Sequence, residues 1–278
     1  MPTWAVVPVT EQALLRLSSL SVAFRHGRQL VPATSKLSLE LRPGRMLGVV
    51  GESGSGKSVT VRAMLGLLPA GARVTSGSLS WQGRELDLSD PRAVRRLRGV
   101  QFGFVPQDPF GALNPRLSVR NQCRAVLKLA RTAARDADLV AADALRRVGI
   151  ARAEDVLRRY PFELSGGMAQ RVVIALTLMR EPQVLLADEP TTGLDSTVQK
   201  QVLDLMASLV GTGRTKAMIL VTHDLGVVAR YCADVVVIYR GQAVEAGPVS
   251  QILRHASHSY TRELIGALSA PGPDGATR

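Results

Sequence analysis

Met46-Leu47-Gly48-Val49-Val50-Gly51-Glu52-Ser53-Gly54-Ser55-Gly56-Lys57-Ser58 is the stretch from which the fold is read. Its first five residues are short, apolar and β-branched at the end, the pattern of a buried strand. The next eight fit Gly-x-x-x-x-Gly-Lys-Ser, and residues 58–68 continue with helical apolar spacing until Pro69 and Gly71 stop them. A strand, a glycine-rich loop and a helix N-terminus in that order form a phosphate receptor. Gly54 and Gly56 let the backbone wrap tightly enough to aim N–H groups at phosphate oxygens, and the helix end adds positive potential. Lys57 reaches the terminal phosphates, and Ser58 offers its hydroxyl to Mg2+. The candidate nucleotide contacts are Gly51, Glu52, Ser53, Gly54, Ser55, Gly56, Lys57, Ser58 and Val59.

Two further stretches extend this reading. Val184-Leu185-Leu186-Ala187-Asp188-Glu189 is an apolar strand ending in two carboxylates. Asp188 suits a hydrated Mg2+, and Glu189, one residue on and on the other side of the strand, suits removal of a proton from an attacking water. Two acids at a strand end say little alone; behind a phosphate loop they complete a nucleotide site. Leu164-Ser165-Gly166-Gly167-Met168-Ala169-Gln170-Arg171 lies shortly before that strand. Ser165 and two glycines open a helix predicted through Arg180, so this end also presents N–H groups and a positive dipole end. One chain thus carries two phosphate receptors.

The 278 residues suffice for one large α/β domain with at most a modest subdomain. Alternating Leu15, Leu17, Leu20, Val22 and Phe24, then Leu37, Leu39 and Leu41, predict an early antiparallel pair closed by Arg42-Pro43-Gly44. Residues 119–159 read as an inserted helical segment rich in Ala, Leu and Arg. Short apolar runs at 184–187, 217–221 and 235–238, separated by helical stretches, predict a parallel sheet with crossover helices. From about residue 269 the Pro- and Gly-rich tail has little to bury and is expected to be disordered. No internal repeat is present.

Composition excludes several classes. With 46% hydrophobic and 21% charged residues the chain reads as an ordinary globular protein. No apolar run approaches the roughly 18 residues of a membrane-spanning helix, and no signal-peptide pattern opens the sequence, so a cytoplasmic location is expected. Cys123 and Cys232 have no Cys or His neighbour at metal-ligand spacing and are expected to be reduced structural thiols. The net charge of +12, concentrated in arginines such as Arg92, Arg95, Arg146 and Arg147, admits nucleic acid, an anionic membrane or ATP as partners. At 4% aromatic residues the stacking platforms of a single-strand binder are missing, and no nucleic-acid partner is expected.

In order and spacing these motifs resemble those of the ABC ATPases over nearly the whole chain, with Leu164-Ser165-Gly166-Gly167-Met168 similar to the family's signature motif. The resemblance implies a P-loop NTPase nucleotide-binding domain over 12–255: a RecA-like core, an antiparallel β subdomain and a helical subdomain at about 115–180. Residues 256–278 would form a C-terminal extension. It implies ATP and Mg2+ as cofactors, with Ser58, Gln107 and Asp188 around the metal. Glu189, His223, Gln107 and Lys57 would serve catalysis. Gln107, in Phe104-Val105-Pro106-Gln107-Asp108, matches the Q-loop glutamine; His223, in Val221-Thr222-His223-Asp224, the switch histidine; and Asp195, in Thr192-Gly193-Leu194-Asp195, the aspartate at the dimer seam. Phe24 is the candidate to stack on adenine, with a place in the core as the equal alternative. Ser165, Gly166, Gly167 and Met168 would act in trans on the nucleotide of a partner.

Gly51-Glu52-Ser53-Gly54-Ser55-Gly56-Lys57-Ser58-Val59-Thr60, Asp108-Pro109-Phe110-Gly111-Ala112-Leu113-Asn114-Pro115 and Ser259-Tyr260-Thr261-Arg262-Glu263-Leu264 are similar to the importer ATPases for peptides and nickel. That likeness implies a second, homologous but non-identical ATPase subunit, two integral membrane permease subunits and an extracytoplasmic solute-binding protein. It puts the chain at the cytoplasmic face of the cell inner membrane. Peptide is preferred over nickel or another small solute. Gly193 stands where the family more often has alanine, and no Cys-rich segment follows Tyr260-Thr261, so an iron–sulfur site is not expected. The competing class is a non-transport ABC ATPase acting on DNA or ribosomes, which would call for two such domains in one chain or a long coiled coil between the motifs. A catalytically idle regulatory module is opposed by the reactive identities of Lys57, Asp188, Glu189 and His223.

Overall fold

The computed structural model describes residues 13–129 and 136–269. The chain opens with an antiparallel hairpin, β1 (Leu15–His26) and β2 (Gln29–Leu41). Leu15, Leu17, Leu20 and Val22 on one strand and Leu37, Leu39 and Leu41 on the other are buried, as their alternation predicts. The alternation skips a residue between Leu17 and Leu20, where the register shifts and Ser19 takes φ +50°.

Next come β3 (Met46–Val50), buried at every residue, and α1 (Lys57–Met64). The helix is shorter than the 58–68 expected. It ends at Gly66, with Leu67 N–H donating to Arg62 O and Gly66 N–H to Ala63 O, a Schellman motif that stops the helix before Pro69 is reached. Strands β4 (Ala72–Trp81) and β5 (Arg84–Asp87) then join the hairpin in a four-stranded antiparallel sheet of order β2-β1-β4-β5. A short helix α2 (Pro91–Arg95), β6 (Phe102–Val105) and a single turn α3 (Pro109–Ala112) lead into the helices α4 (Val119–Leu129), α5 (Ala137–Arg147) and α6 (Ala153–Arg158). After a 3-10 turn at Pro161–Glu163 come α7 (Gly166–Leu178), β7 (Val184–Asp188), α8 (Ser196–Gly211), β8 (Ala217–Val221) and α9 (Leu225–Tyr231). The chain finishes with β9 (Asp234–Tyr239), β10 (Gln242–Pro248), α10 (Val249–His255) and α11 (Ser259–Ser269).

The second sheet has order β10-β9-β3-β8-β7-β6, parallel throughout except for the antiparallel edge strand β10. Parallel strands send their C-terminal ends to one edge, so the loops after β3, β6, β7 and β8 gather there. The sheet also divides the interior. Leu47 and Val49 of β3, Leu186 of β7 and Ile219 of β8 pack with the antiparallel sheet and α1. Their neighbours Val50, Leu185, Ala187 and Leu220 face the opposite core, which they share with Leu127, Leu145 and Leu157 of the inserted helices. The inserted helices therefore have no separate core; α4 and α5 pack on α7, which in turn packs on β6 of the central sheet.

Arginines of the insert are paired close to home: Arg146 with Glu154, Arg147 with Asp143, and Arg120 and Arg124 with Asp138. Cys123 and Cys232 are free and buried, and burial pushes both thiols up to about 12. No helix of the described residues is long and apolar enough to cross a membrane. The tail from residue 270, expected to be disordered, lies outside the described residues. Residues 256–269 are docked, with Tyr260 and Thr261 buried.

Leu145 is fully buried on α5 while Leu139 of the same helix is 72% exposed. Leu145→Ala is expected to destabilise the fold by about 2–5 kcal/mol, and Leu139→Ala by no more than about 0.5 kcal/mol, both read from chemical denaturation.

Candidate nucleotide site

Loop 51–56 is held between backbone of both sheets. Gly51 has φ +155°, and a Cβ there would collide with the carbonyl oxygen of Ile238 at the end of β9. Gly56 has φ +103°, and a Cβ there would stand 2.9 Å from Ala33 O and 2.8 Å from Thr34 Cγ2 on β2. Gly241 N–H donates to Ser55 O over 3.0 Å, and Ser35 N–H to Gly241 O over 2.8 Å, so the β9–β10 turn links the loop to β2. Glycine is dictated at both positions by the closeness of the neighbours. Ser53 and Gly54 form the exposed crest, and Val59 packs its side chain on the core behind them.

Lys57 is buried and folds back over the loop, donating to Gly51 O and Glu52 O at 2.8 Å each. Burial pushes its ammonium below the usual range, against the attraction of Glu189, Asp188 and Glu52. Ser58 Oγ donates to Asp188 Oδ1 at 2.7 Å. Burial pushes the Asp188 carboxyl up, against the Ser58 hydrogen bond and the Arg62 charge. Its other oxygen, Oδ2, is buried with no hydrogen-bond partner among the described residues, and Arg62 Nε stands 3.9 Å away. An orphaned carboxylate oxygen beside a serine hydroxyl is an all-oxygen donor set. It suits a hard cation that takes its remaining ligands from phosphate and water, so these residues fit Mg2+. Among the described residues no group of three His, Cys, Asp or Glu side chains forms a metal cage, and one is not needed for an ion shared with phosphates.

Glu189 follows directly. It lies past the end of β7 with φ +45°, a conformation that is uncommon for a residue with a side chain, and its N–H donates to Val221 O. The turn brings its Oε2 to three partners: Gln107 Nε2 at 3.2 Å, Thr192 Oγ1 at 3.0 Å and His223 Nδ1 at 3.3 Å. Gln107 comes from the end of β6, and His223 follows β8. Gln107 and His223, named separately from the sequence, thus meet on the carboxylate of Glu189. Thr192 was missed; its only sequence signal is the three-residue spacing from Glu189.

The remaining candidates lie elsewhere. Ser165 caps α7, its Oγ accepting from Met168 N–H at 3.3 Å, and Ser165 and Gly166 are exposed. Gly167 faces Leu194, which places the start of α7 beside Asp195. Asp195 is itself the N-cap of α8, accepting from Val198 N–H at 2.9 Å. Among the described residues no hydrogen bond or ion pair joins Ser165, Gly166, Gly167 or Met168 to loop 51–58. Two bonds instead fasten α7 to the Gln107 segment: Thr177 Oγ1 to Phe104 O at 3.1 Å and Gln170 Nε2 to Pro106 O at 3.4 Å. Phe24 is half-buried on β1, between Val31 on β2 and Ala72 on β4.

Comparison with known proteins falls on this same architecture. Residues 34–192 match the family model described as ABC transporter. The chain is 42% identical over 259 residues to the peptidoglycan transport ATP-binding protein YejF of Agrobacterium fabrum, covering 92% of this chain and 47% of that protein. It is 41% identical over 266 residues to the glutathione import ATP-binding protein GsiA of Escherichia coli, covering 93% and 42%. The chain thus spans about half the length of the curated relatives it matches. Among solved structures it resembles the dimeric structure of MJ0796, a bacterial ABC transporter cassette, with TM-score 0.75, 25% identity and coverage of 84% of this chain and 98% of that one. It also resembles cbiO1 from Clostridium perfringens, part of the ABC transporter complex cbiONQ, with TM-score 0.71, 25% identity and coverage of 88% and 92%. The α/β class expected from the sequence is the one observed. The family match takes in the phosphate loop, the second Ser-Gly-Gly helix and the acidic strand end that build and flank the site, and the chain belongs to the ABC transporter family.

Proposed function

We propose that this chain binds and hydrolyses ATP to energise solute import, as a peripheral subunit at the cytoplasmic face of the inner membrane. The observation that carries the reading is the convergence of Gln107, Thr192 and His223 on the Glu189 carboxylate, one residue beyond Asp188 and facing the lysine of the phosphate loop. Relatives named for peptidoglycan transport and glutathione import support a peptide-like solute over nickel.

In this reading the loop N–H groups and the N-terminus of α1 cradle the phosphates, and Lys57 exchanges two carbonyl acceptors for phosphate oxygens. Ser58, Asp188 and Gln107 would hold Mg2+, which supplies charge neutralisation at the β- and γ-phosphates. Glu189 accepts the proton of the water that attacks in line; Gln107 and Thr192 fix the carboxylate, and His223, 64% exposed, is free to turn toward the γ-phosphate. Phe24 offers its half-buried ring to adenine.

Ser165 and Gly166 open outward, and among the described residues no hydrogen bond or ion pair ties the start of α7 to loop 51–58. This supports the assignment of that helix end to the nucleotide of a second, homologous ATPase subunit, with Asp195 at the seam. Permease subunits and an extracytoplasmic binding protein complete the assembly. The cleft of about 980 Å³ beside the Gln107 segment, lined by Pro106, Asp108, Leu117, Val126 and Leu129, is the surface we assign to the permease. Leu117 and Leu129 are exposed there, as apolar side chains awaiting a partner would be.

Glu189→Gln is expected to keep ATP binding and to lower kcat by about 10²- to 10⁴-fold in the assembled transporter; wild-type turnover would remove Glu189 from the role of base. Gly167→Arg is expected to leave ATP affinity of the isolated chain intact while lowering turnover of the assembly. Loss of affinity in the isolated chain would show that this helix end serves its own nucleotide.

A further inference from the structure

None of the chemistry above uses the C-terminal helix α11, yet one of its side chains ends on the phosphate loop. Tyr260 is buried, and its Oη accepts the backbone N–H of Glu52 at 2.6 Å, across 208 positions of sequence. Its ring stacks on Tyr239 of β9, with centroids 4.3 Å apart and planes at 26°. The stack fixes the ring from the side, so the hydroxyl reaches the loop with little freedom to turn away.

The start of α11 is itself fastened. Glu245 of β10 is buried and accepts from Ser257 N–H at 2.8 Å, Ser257 Oγ at 3.1 Å and His258 N–H at 3.3 Å. Burial works against its ionisation, but the hydrogen bonds, led by the Ser257 N–H, outweigh it and hold the carboxyl below its usual range. A continuous set of contacts therefore runs from β10 through residues 257–258 to Tyr260 and on to the loop.

At the loop end, the Glu52 residue is gripped at both of its backbone polar groups. Its N–H goes to Tyr260; its carbonyl accepts from Lys57 Nζ at 2.8 Å and from Ser55 N–H at 3.2 Å. When Lys57 turns to a phosphate its bonds to Gly51 O and Glu52 O are given up, and the N–H contact to Tyr260 remains. That N–H points into the protein and is not a phosphate donor. Its orientation sets the peptide planes that follow at Ser53 and Gly54, the exposed crest of the loop, whose N–H groups face the side open to an anion.

We propose that Tyr260 is a positioning residue for the phosphate loop, holding the Glu52 peptide in the orientation that ATP binding requires and thereby linking nucleotide affinity to the docking of α11. The proposal rests on the nucleotide reading of the site.

Tyr260→Phe keeps the ring and its stack on Tyr239 and removes only the hydroxyl. For the full chain, equilibrium binding of ATP is expected to weaken about three- to tenfold, the cost of re-ordering a loop no longer held by that hydrogen bond, with the unfolding midpoint in the absence of nucleotide lowered only slightly. Amide exchange at Glu52 is expected to accelerate. In the assembled transporter KM for ATP rises by the same factor while kcat is retained. Glu245→Ala, which unfastens the start of α11 without touching the loop, is expected to raise KM in the same direction. Unchanged ATP affinity in Tyr260→Phe overturns the proposal, as does a lowered unfolding midpoint with affinity unaltered, since that marks a purely structural contact. Failure of the wild-type chain to bind ATP would instead overturn the nucleotide reading on which the proposal stands.

Discussion

The structure depends on how closely backbone approaches backbone at the phosphate loop. Between Ile238 O on one side and Ala33 O on the other there is no room for a side chain at Gly51 or Gly56, and the β9–β10 turn is hydrogen-bonded to the loop and to β2 at once. A loop meant to receive an anion must keep its N–H groups turned toward an open space, which leaves them unable to stabilise the loop themselves. The stabilising contacts come from behind instead, from carbonyls and from Lys57. Both sheets must be present for that arrangement, and the antiparallel sheet is therefore part of the site's frame.

Much of the site was legible because its chemistry is carried by residue types at fixed spacing. Gly51, Gly56, Lys57 and Ser58 are constrained by contacts within one short segment, so their pattern survives in one dimension. Asp188 and Glu189 end a run of buried residues that marks itself by hydrophobicity. What brings Gln107 and His223 to Glu189 is the parallel order of β6, β7 and β8, which no local pattern states; the resemblance to a family supplied it. Thr192 escaped because a threonine three residues past an acid is common in any turn.

The fold was legible where burial is two-sided or strictly alternating. β3, β7 and β8 are buried on both faces and read as apolar runs, and the hydrophobic residues of β1 and β2 alternate. β4 was not seen because Ser76, Gly77, Ser78 and Ser80 give it little apolar content; it is a strand because β1 and β5 flank it. β6 is only four residues long, and β10 is an edge strand with a single buried residue, Glu245, whose polar character conceals that it is internal. The early end of α1 was written in Gly66, but the apolar spacing of Leu65, Leu67 and Leu68 read through it. Tertiary context decides each of these cases.

The two bonds that fasten α7 to the Phe104 and Pro106 carbonyls lie seven residues apart on the helix, about 10 Å along its axis at 1.5 Å per residue. A rod pinned at one point can pivot about it; pinned at two, it cannot. The Ser165 end of α7 and the Gln107 segment are therefore braced as one rigid piece along the edge strand of the central sheet.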